Sequence, residues 1–124
     1  YNKHKMALKF EYDEEDDVFT IYDSENAPSE TIEFSEFLNI DINNNKGIVG
    51  LEVFYASEFF SIINDMVNKT FLENIDNVKV DCRNYRNTYW IISLIFDYKG
   101  QEIKVQLPPL RKSEYVSPLI ASCE

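Results

Sequence analysis

The stretch Leu38 to Ser57, LNIDINNNKGIVGLEVFYAS, constrains this chain more than any other. Leu38, Ile40 and Ile42 alternate with Asn39, Asp41 and Asn43. A period of two sends neighbouring side chains to opposite faces, which marks a half-buried strand. The polar break Asn43-Asn44-Asn45-Lys46-Gly47 follows, and Asn and Gly tolerate the positive φ that a tight reversal needs. Val49, Leu51 and Val53 then alternate again. The stretch predicts a β-hairpin whose end, Ala56-Ser57, hands the chain to a helix.

The same rule reads the segments on either side. Leu8, Phe10 and Tyr12 alternate with Lys9, Glu11 and Asp13 and predict a first strand. Asp13 to Asp17 is a charged turn, and Val18 to Tyr22, rich in β-branched and aromatic residues, predicts a second strand antiparallel to the first. Asp23 to Ser29 reads as a loop, and Thr31 to Phe34 as a short third strand. After the hairpin, Phe59, Ile62, Ile63, Met66, Val67, Thr70 and Phe71 recur at intervals of three and four. That spacing predicts one amphipathic helix over about 57–72, with Ser57 as its N-cap and its apolar face laid on the sheet.

Glu73 to Asn77 ends the helix with turn-formers. Val78, Val80 and Cys82 alternate with Lys79, Asp81 and Arg83 as a strand, and Asn84 to Thr88 is a turn. Tyr89 to Tyr98, YWIISLIFDY, is apolar on both faces and predicts a central strand. Lys99-Gly100 turns the chain into Ile103, Val105 and Leu107, and Pro108-Pro109 stops that strand. Leu110 to Glu124 reads as a tail pinned by Leu119 and Ile120. The expected class is α+β: an antiparallel β-meander of about five strands, one helix, then about three more antiparallel strands. One domain over 1–124 is expected, divided into 8–60, 61–110 and a tail at 111–124.

Composition narrows the function classes. The chain has 124 residues, a formal charge of −10, nine Phe, eight Tyr and one Trp. Eleven of the 22 acidic residues lie between Glu11 and Glu36, where there is no Lys or Arg. Such a segment repels phosphate backbones, so nucleic acid is not an expected partner. Cys82 and Cys123 form neither a disulfide scaffold nor a metal-ligand pair, and a reducing cytosol is the expected setting. No apolar run approaches a membrane span, and Tyr1 to Lys5 lacks the apolar continuation of a signal peptide. Met6 is a candidate native start.

Two motifs carry a resemblance. Tyr12-Asp13-Glu14-Glu15-Asp16-Asp17-Val18-Phe19-Thr20-Ile21-Tyr22 resembles the opening YDxxxDxLYI pattern of the domain of unknown function 2283 family. Val49-Gly50-Leu51-Glu52-Val53-Phe54-Tyr55-Ala56-Ser57 resembles its closing VGIEILxAS pattern. The likeness spans about Leu8 to Phe60. It implies small prokaryotic and viral proteins of no established activity, sometimes encoded beside small toxin-like genes, and hence an antitoxin-like partner role. It supplies no catalytic residue. It implies structural parts for Tyr12 and Ala56 in packing, Asp13 and Asp17 in a turn, and Gly50 in close backbone approach.

Each chemical motif has a plainer reading. Asp41, Asn43, Asn45 and Glu52 fall at positions one, three, five and twelve of an EF-hand loop. However, Lys46 takes the place of its glycine, and strands flank the turn instead of helices. Asp13 to Asp17 could serve a metal-dependent hydrolase, but consecutive turn carboxylates diverge and stay hydrated. His4 is the single histidine, which leaves no Ser-His-Asp or Cys-His constellation. Asn68-Lys69-Thr70 is a chance-level glycosylation sequon. Lys79, Arg83 and Arg86 beside Tyr85 and Tyr89 make a weak single-strand-binding pattern against the overall charge.

No catalytic residue, metal ligand or cofactor is therefore expected. The reading is a non-enzymatic module that binds a protein partner or a second copy of itself, homodimer included. The competing readings are a small-molecule-binding domain, with a cavity between the helix and Tyr89–Tyr98, and the hydrolase using residues 13–17.

Overall fold

A computed structural model describes residues 8–86 and 88–111. His4, Met6, Leu119, Ile120 and Cys123 lie outside the described residues. Five strands come first: β1 (Leu8–Asp13), β2 (Val18–Asp23), β3 (Glu30–Ser35), β4 (Leu38–Asn43) and β5 (Gly47–Phe54). They form an antiparallel sheet in the order β1-β2-β5-β4-β3. Two helices follow, α1 (Ala56–Ile63) and α2 (Lys69–Glu73). Then β6 (Asn77–Tyr85), β7 (Tyr89–Tyr98) and β8 (Gln101–Gln106) make a second antiparallel sheet with β7 in the middle. A two-residue strand, β9 (Leu110–Arg111), pairs with β7 beyond the end of β8. The α+β class holds, and the hairpin at 38–54 is the centre of the first sheet.

Alternation decides which residues go inside. Phe19, Ile21, Ile40, Ile42, Leu51 and Val53 line the inner face of the first sheet, and Ile92, Leu94 and Phe96 that of the second. The two inner faces share one hydrophobic cluster. Phe96 packs edge-on against Phe19 of β2, while Trp90 packs against Phe34 of β3. Six residues of β7 span about 20 Å, and β2 and β3 are three strand spacings, about 14 Å, apart. β7 therefore crosses the strands of the first sheet obliquely instead of running along them. Gly50 sits where a side chain has no room: a Cβ there would lie 2.9 Å from the Asp41 carboxylate and 3.1 Å from the Ile21 carbonyl.

Three expectations are corrected. The helix expected over 57–72 is two short helices. Asn64 adopts an extended backbone, φ −147° and ψ 110°, and its side chain accepts from the Met66 N–H. Asn68 then starts α2 by accepting from the Phe71 N–H. Asparagine offers the backbone local partners that compete with a continuous helix, and the break turns Val67, Phe71 and Leu72 into the core. Second, the helix does not cover the sheet face. The second sheet does, and α1 closes one end, with Phe60 wedged against Phe19 and Phe96. Third, Leu110–Arg111, expected to open the tail, is strand, because Leu110 reaches the open stretch of β7 beside Trp90.

Candidate functional site

The end of the molecule that carries α1 is built around Asp17. This residue closes the β1–β2 turn with φ +57°, a left-handed conformation that Asp tolerates better than most. Asp13 shapes the same turn, its carboxylate accepting from the Glu15 and Asp16 N–H groups. The twist aims Asp17 at the start of α1, forty residues on. Its carbonyl accepts from the Ala56 N–H at 2.9 Å. Its carboxylate accepts from the Ser57 N–H at 3.0 Å and the Ser57 hydroxyl at 2.7 Å. The Tyr12 hydroxyl donates to the same carboxylate at 2.6 Å.

A helix start exposes N–H groups with no partner inside the helix. Ser57 was expected to cap them; it lies within the first turn and donates, and Asp17 is the acceptor. The cap is thus supplied by the β1–β2 turn and ties the first turn of the chain to its first helix.

Burial alone would raise the Asp17 pKa. The hydrogen bonds from Tyr12 and Ser57 and the charge of Lys69 outweigh it, and the carboxyl lies below its ordinary range. Tyr12 is shifted upward, by burial first and then by its bond to Asp17. Nearby, Glu73 is raised by its hydrogen bond with Glu14. The Lys69 ammonium reaches the Glu14 carbonyl at 3.5 Å. This arrangement is well satisfied: each polar atom of the clasp points at another, and among the described residues no thiol is bonded to it.

A second feature stands beside the clasp. Tyr55, Phe59, Ile62 and Ile63 recur along one side of α1, and Met66 follows in the turn after it. The core takes Ala56 and Phe60 from the opposite side; on the stripe side Phe59 is half-buried and packs against the core cluster, and the others turn outward. Ile62 is 84% exposed, Tyr55 57% and Met66 47%. Phe37, from the β3–β4 turn, extends the stripe, packing against the Tyr55 and Phe59 rings at 6.0 and 5.7 Å. Glu36, Glu58 and Asp65, each adjacent in the chain to a stripe residue, are exposed. The result is an apolar, aromatic stripe with an acidic border.

The remaining sequence candidates are dispersed. Asp41 accepts from the Thr31 hydroxyl at 2.6 Å, and Asn43 organises the hairpin turn by accepting from the Asn45 and Lys46 N–H groups. Glu52, two strand positions from Asp41's partner Gly50, accepts from the Asn39 amide. These are ladder and turn contacts, not a loop wrapped around one point. Among the described residues no three His, Cys, Asp or Glu side chains converge as metal ligands. Cys82 is half-buried on the inner side of β6. The space between α1 and β7 is filled by the packed rings of Phe19, Phe60, Phe71 and Phe96. No helix among the described residues is long and apolar enough to cross a membrane. Sequence reasoning missed both the Asp17 cap and the outward stripe.

Comparison with known proteins adds one match. Residues 9–57 match the model of the family described as Protein of unknown function (DUF2283). The resemblance read from Tyr12–Tyr22 and Val49–Ser57 therefore holds over that segment. No curated protein and no solved structure matches the chain. The matched segment runs from β1 to Ser57, the residue gripped by Asp17. It comprises the first sheet and its clasp; the stripe beyond Ser57 and the second sheet lie outside it.

Proposed function

We propose that the chain, a DUF2283 segment extended by α2 and a second sheet, is a non-enzymatic interaction module whose docking face is the α1 stripe. The observation that carries this reading is Ile62, 84% exposed on a face that also holds Tyr55, Phe59 and Met66. Exposed apolar side chains scattered singly are ordinary; a contiguous aromatic and aliphatic patch is the composition of an interface core. Its acidic border selects the occupant. A second copy would bring Glu36, Glu58 and Asp65 against the same acids, whereas a basic, amphipathic segment of another protein meets both the stripe and its rim. This fits an antitoxin-like role in a prokaryotic cytosol, where cysteines placed apart, as Cys82 and Cys123 are in the sequence, stay reduced.

The test is site-specific photo-crosslinking in native host cells, with benzoylphenylalanine at Tyr55 and a control at Lys46 on the β4–β5 turn. The expected outcome is one adduct from position 55, with a basic protein, and none from position 46. An adduct of twice the chain's own mass would replace this reading with self-association through the stripe.

A further inference from the structure

The outer face of the second sheet differs in chemistry from the rest of the molecule. Register places Tyr85, Tyr89 and Arg111 in one row across three strands, with Arg83 and Ile91 in the next. The opposite parity, Val78, Ile92 and Leu94, fills the core. Arg86, at the β6–β7 turn, lies over the Tyr85 ring at 5.4 Å. Tyr85 is 53% exposed, and Arg83, Arg86 and Arg111 are exposed. Arg83 is paired to Asp81 at 3.3 Å, while Arg86 and Arg111 pair with no carboxylate among the described residues. On a chain of charge −10 this is a local basic, aromatic patch.

The chain also carries what such a patch would take. Glu14, Glu15 and Asp16 are exposed at the tip of the β1–β2 turn, whereas Asp13 and Asp17 are used inside it. The patch sits by β3, through Trp90 on Phe34, and the acidic turn joins β1 to β2. The turn therefore lies three to four strand spacings, about 14–19 Å, from β3. That separation holds the turn away from the patch of its own chain and leaves it exposed to a second copy. We infer that Arg83, Arg86 and Arg111 with Tyr85 and Tyr89 form a self-association surface whose occupant is the 14–16 turn of a second copy. Guanidinium groups bind carboxylates with two parallel hydrogen bonds, and the tyrosine rings supply area at small entropic cost. This surface is separate from the α1 stripe and does not depend on it.

Charge-swapped variants test it by sedimentation velocity. Wild-type chain is expected to associate at low salt, roughly 20 mM, and to dissociate at roughly 500 mM, where charges are screened within a few ångströms. Arg86→Glu/Arg111→Glu is expected to be monomeric, and so is Glu15→Lys/Asp16→Lys. An equimolar mixture of the two restores association, because each then offers the other an opposite charge. Ile62→Glu leaves the behaviour unchanged, which separates this surface from the partner-binding face. Thermal melting of each variant alone identifies any that fails to fold. Such a variant is replaced by its glutamine counterpart, Arg86→Gln/Arg111→Gln or Glu15→Gln/Asp16→Gln, which is expected to associate about tenfold more weakly than wild type. A wild-type chain that stays monomeric at low salt overturns the proposal, as does association that survives either charge swap. Binding of a fluorescent oligodeoxythymidine that is lost in Arg86→Glu/Arg111→Glu overturns it in favour of nucleic acid.

Discussion

Asp17 combines a left-handed backbone with an acceptor role toward a helix forty residues away. Alanine at this position would strand the Ser57 N–H and the Tyr12 hydroxyl and keep the unfavourable φ. The expected loss is about 3 kcal/mol in urea denaturation, against about 1 kcal/mol for Asn, which tolerates the φ and keeps an acceptor. The pH dependence has two limbs. The Asp17 pKa is lowered in the folded chain, so its contribution is present above the unfolded value of about 4 and is lost as pH falls through the lower folded one. The Tyr12 pKa is raised, so its contribution is present below the unfolded value of about 10 and is lost as pH rises beyond it. Melting temperatures across pH should show a shoulder on each limb, and both should vanish in an Asp17→Asn/Tyr12→Phe variant. No local sign of this bond is legible around Ser57, because a cap is sought within the helix's own residues. Only the Tyr12, Asp17 and Ser57 positions of the two motifs, read together, pointed to a common site.

At the scale of elements, strands were legible and the helices were not. Alternation needs only neighbouring residues, and each strand from Leu8 to Gln106 falls where its pattern places it. In the helical segment apolar residues come in pairs, Phe59-Phe60 and Ile62-Ile63, so two faces satisfy a spacing of three and four equally well. The core selected Ala56 and Phe60, in register with Phe19 and Phe96, and left Ile62 outside. Truncation separates the two faces. Phe60→Ala is expected to cost about 3–5 kcal/mol, the range for a buried aromatic that leaves a cavity. Ile62→Ala is expected to stay within about 0.5 kcal/mol of wild type. A continuous helix with Ile62 inward would reverse that order in the same urea titrations.

The whole molecule is a segment that matches the family model, residues 9–57, with an addition. The five-stranded sheet has an inner face of Phe19, Ile21, Ile40, Leu51 and Val53 that must be covered. Residues beyond Ser57 cover it: β7 crosses it, and α1 and α2 close one end. Alternation told which side chains leave water but not what they meet, so the crossing of the two sheets was beyond reach of the sequence. The excess of aromatics was visible at once. Its division into a packed set, Phe19, Phe60, Phe71 and Phe96, and a peripheral set, exposed Tyr55 with half-buried Phe37 and Phe59, required the fold.

The docking role proposed for the α1 stripe turns on Ile62 and Met66, which are exposed at its centre. It is tested most directly by repeating the crosslink from position 55 in an Ile62→Glu/Met66→Glu background that melts like wild type. Adduct yield is expected to fall by about tenfold or more, because two carboxylates replace the centre of an apolar contact. An undiminished yield from that folded variant would contradict it, and the stripe would then be an ordinary exposed surface.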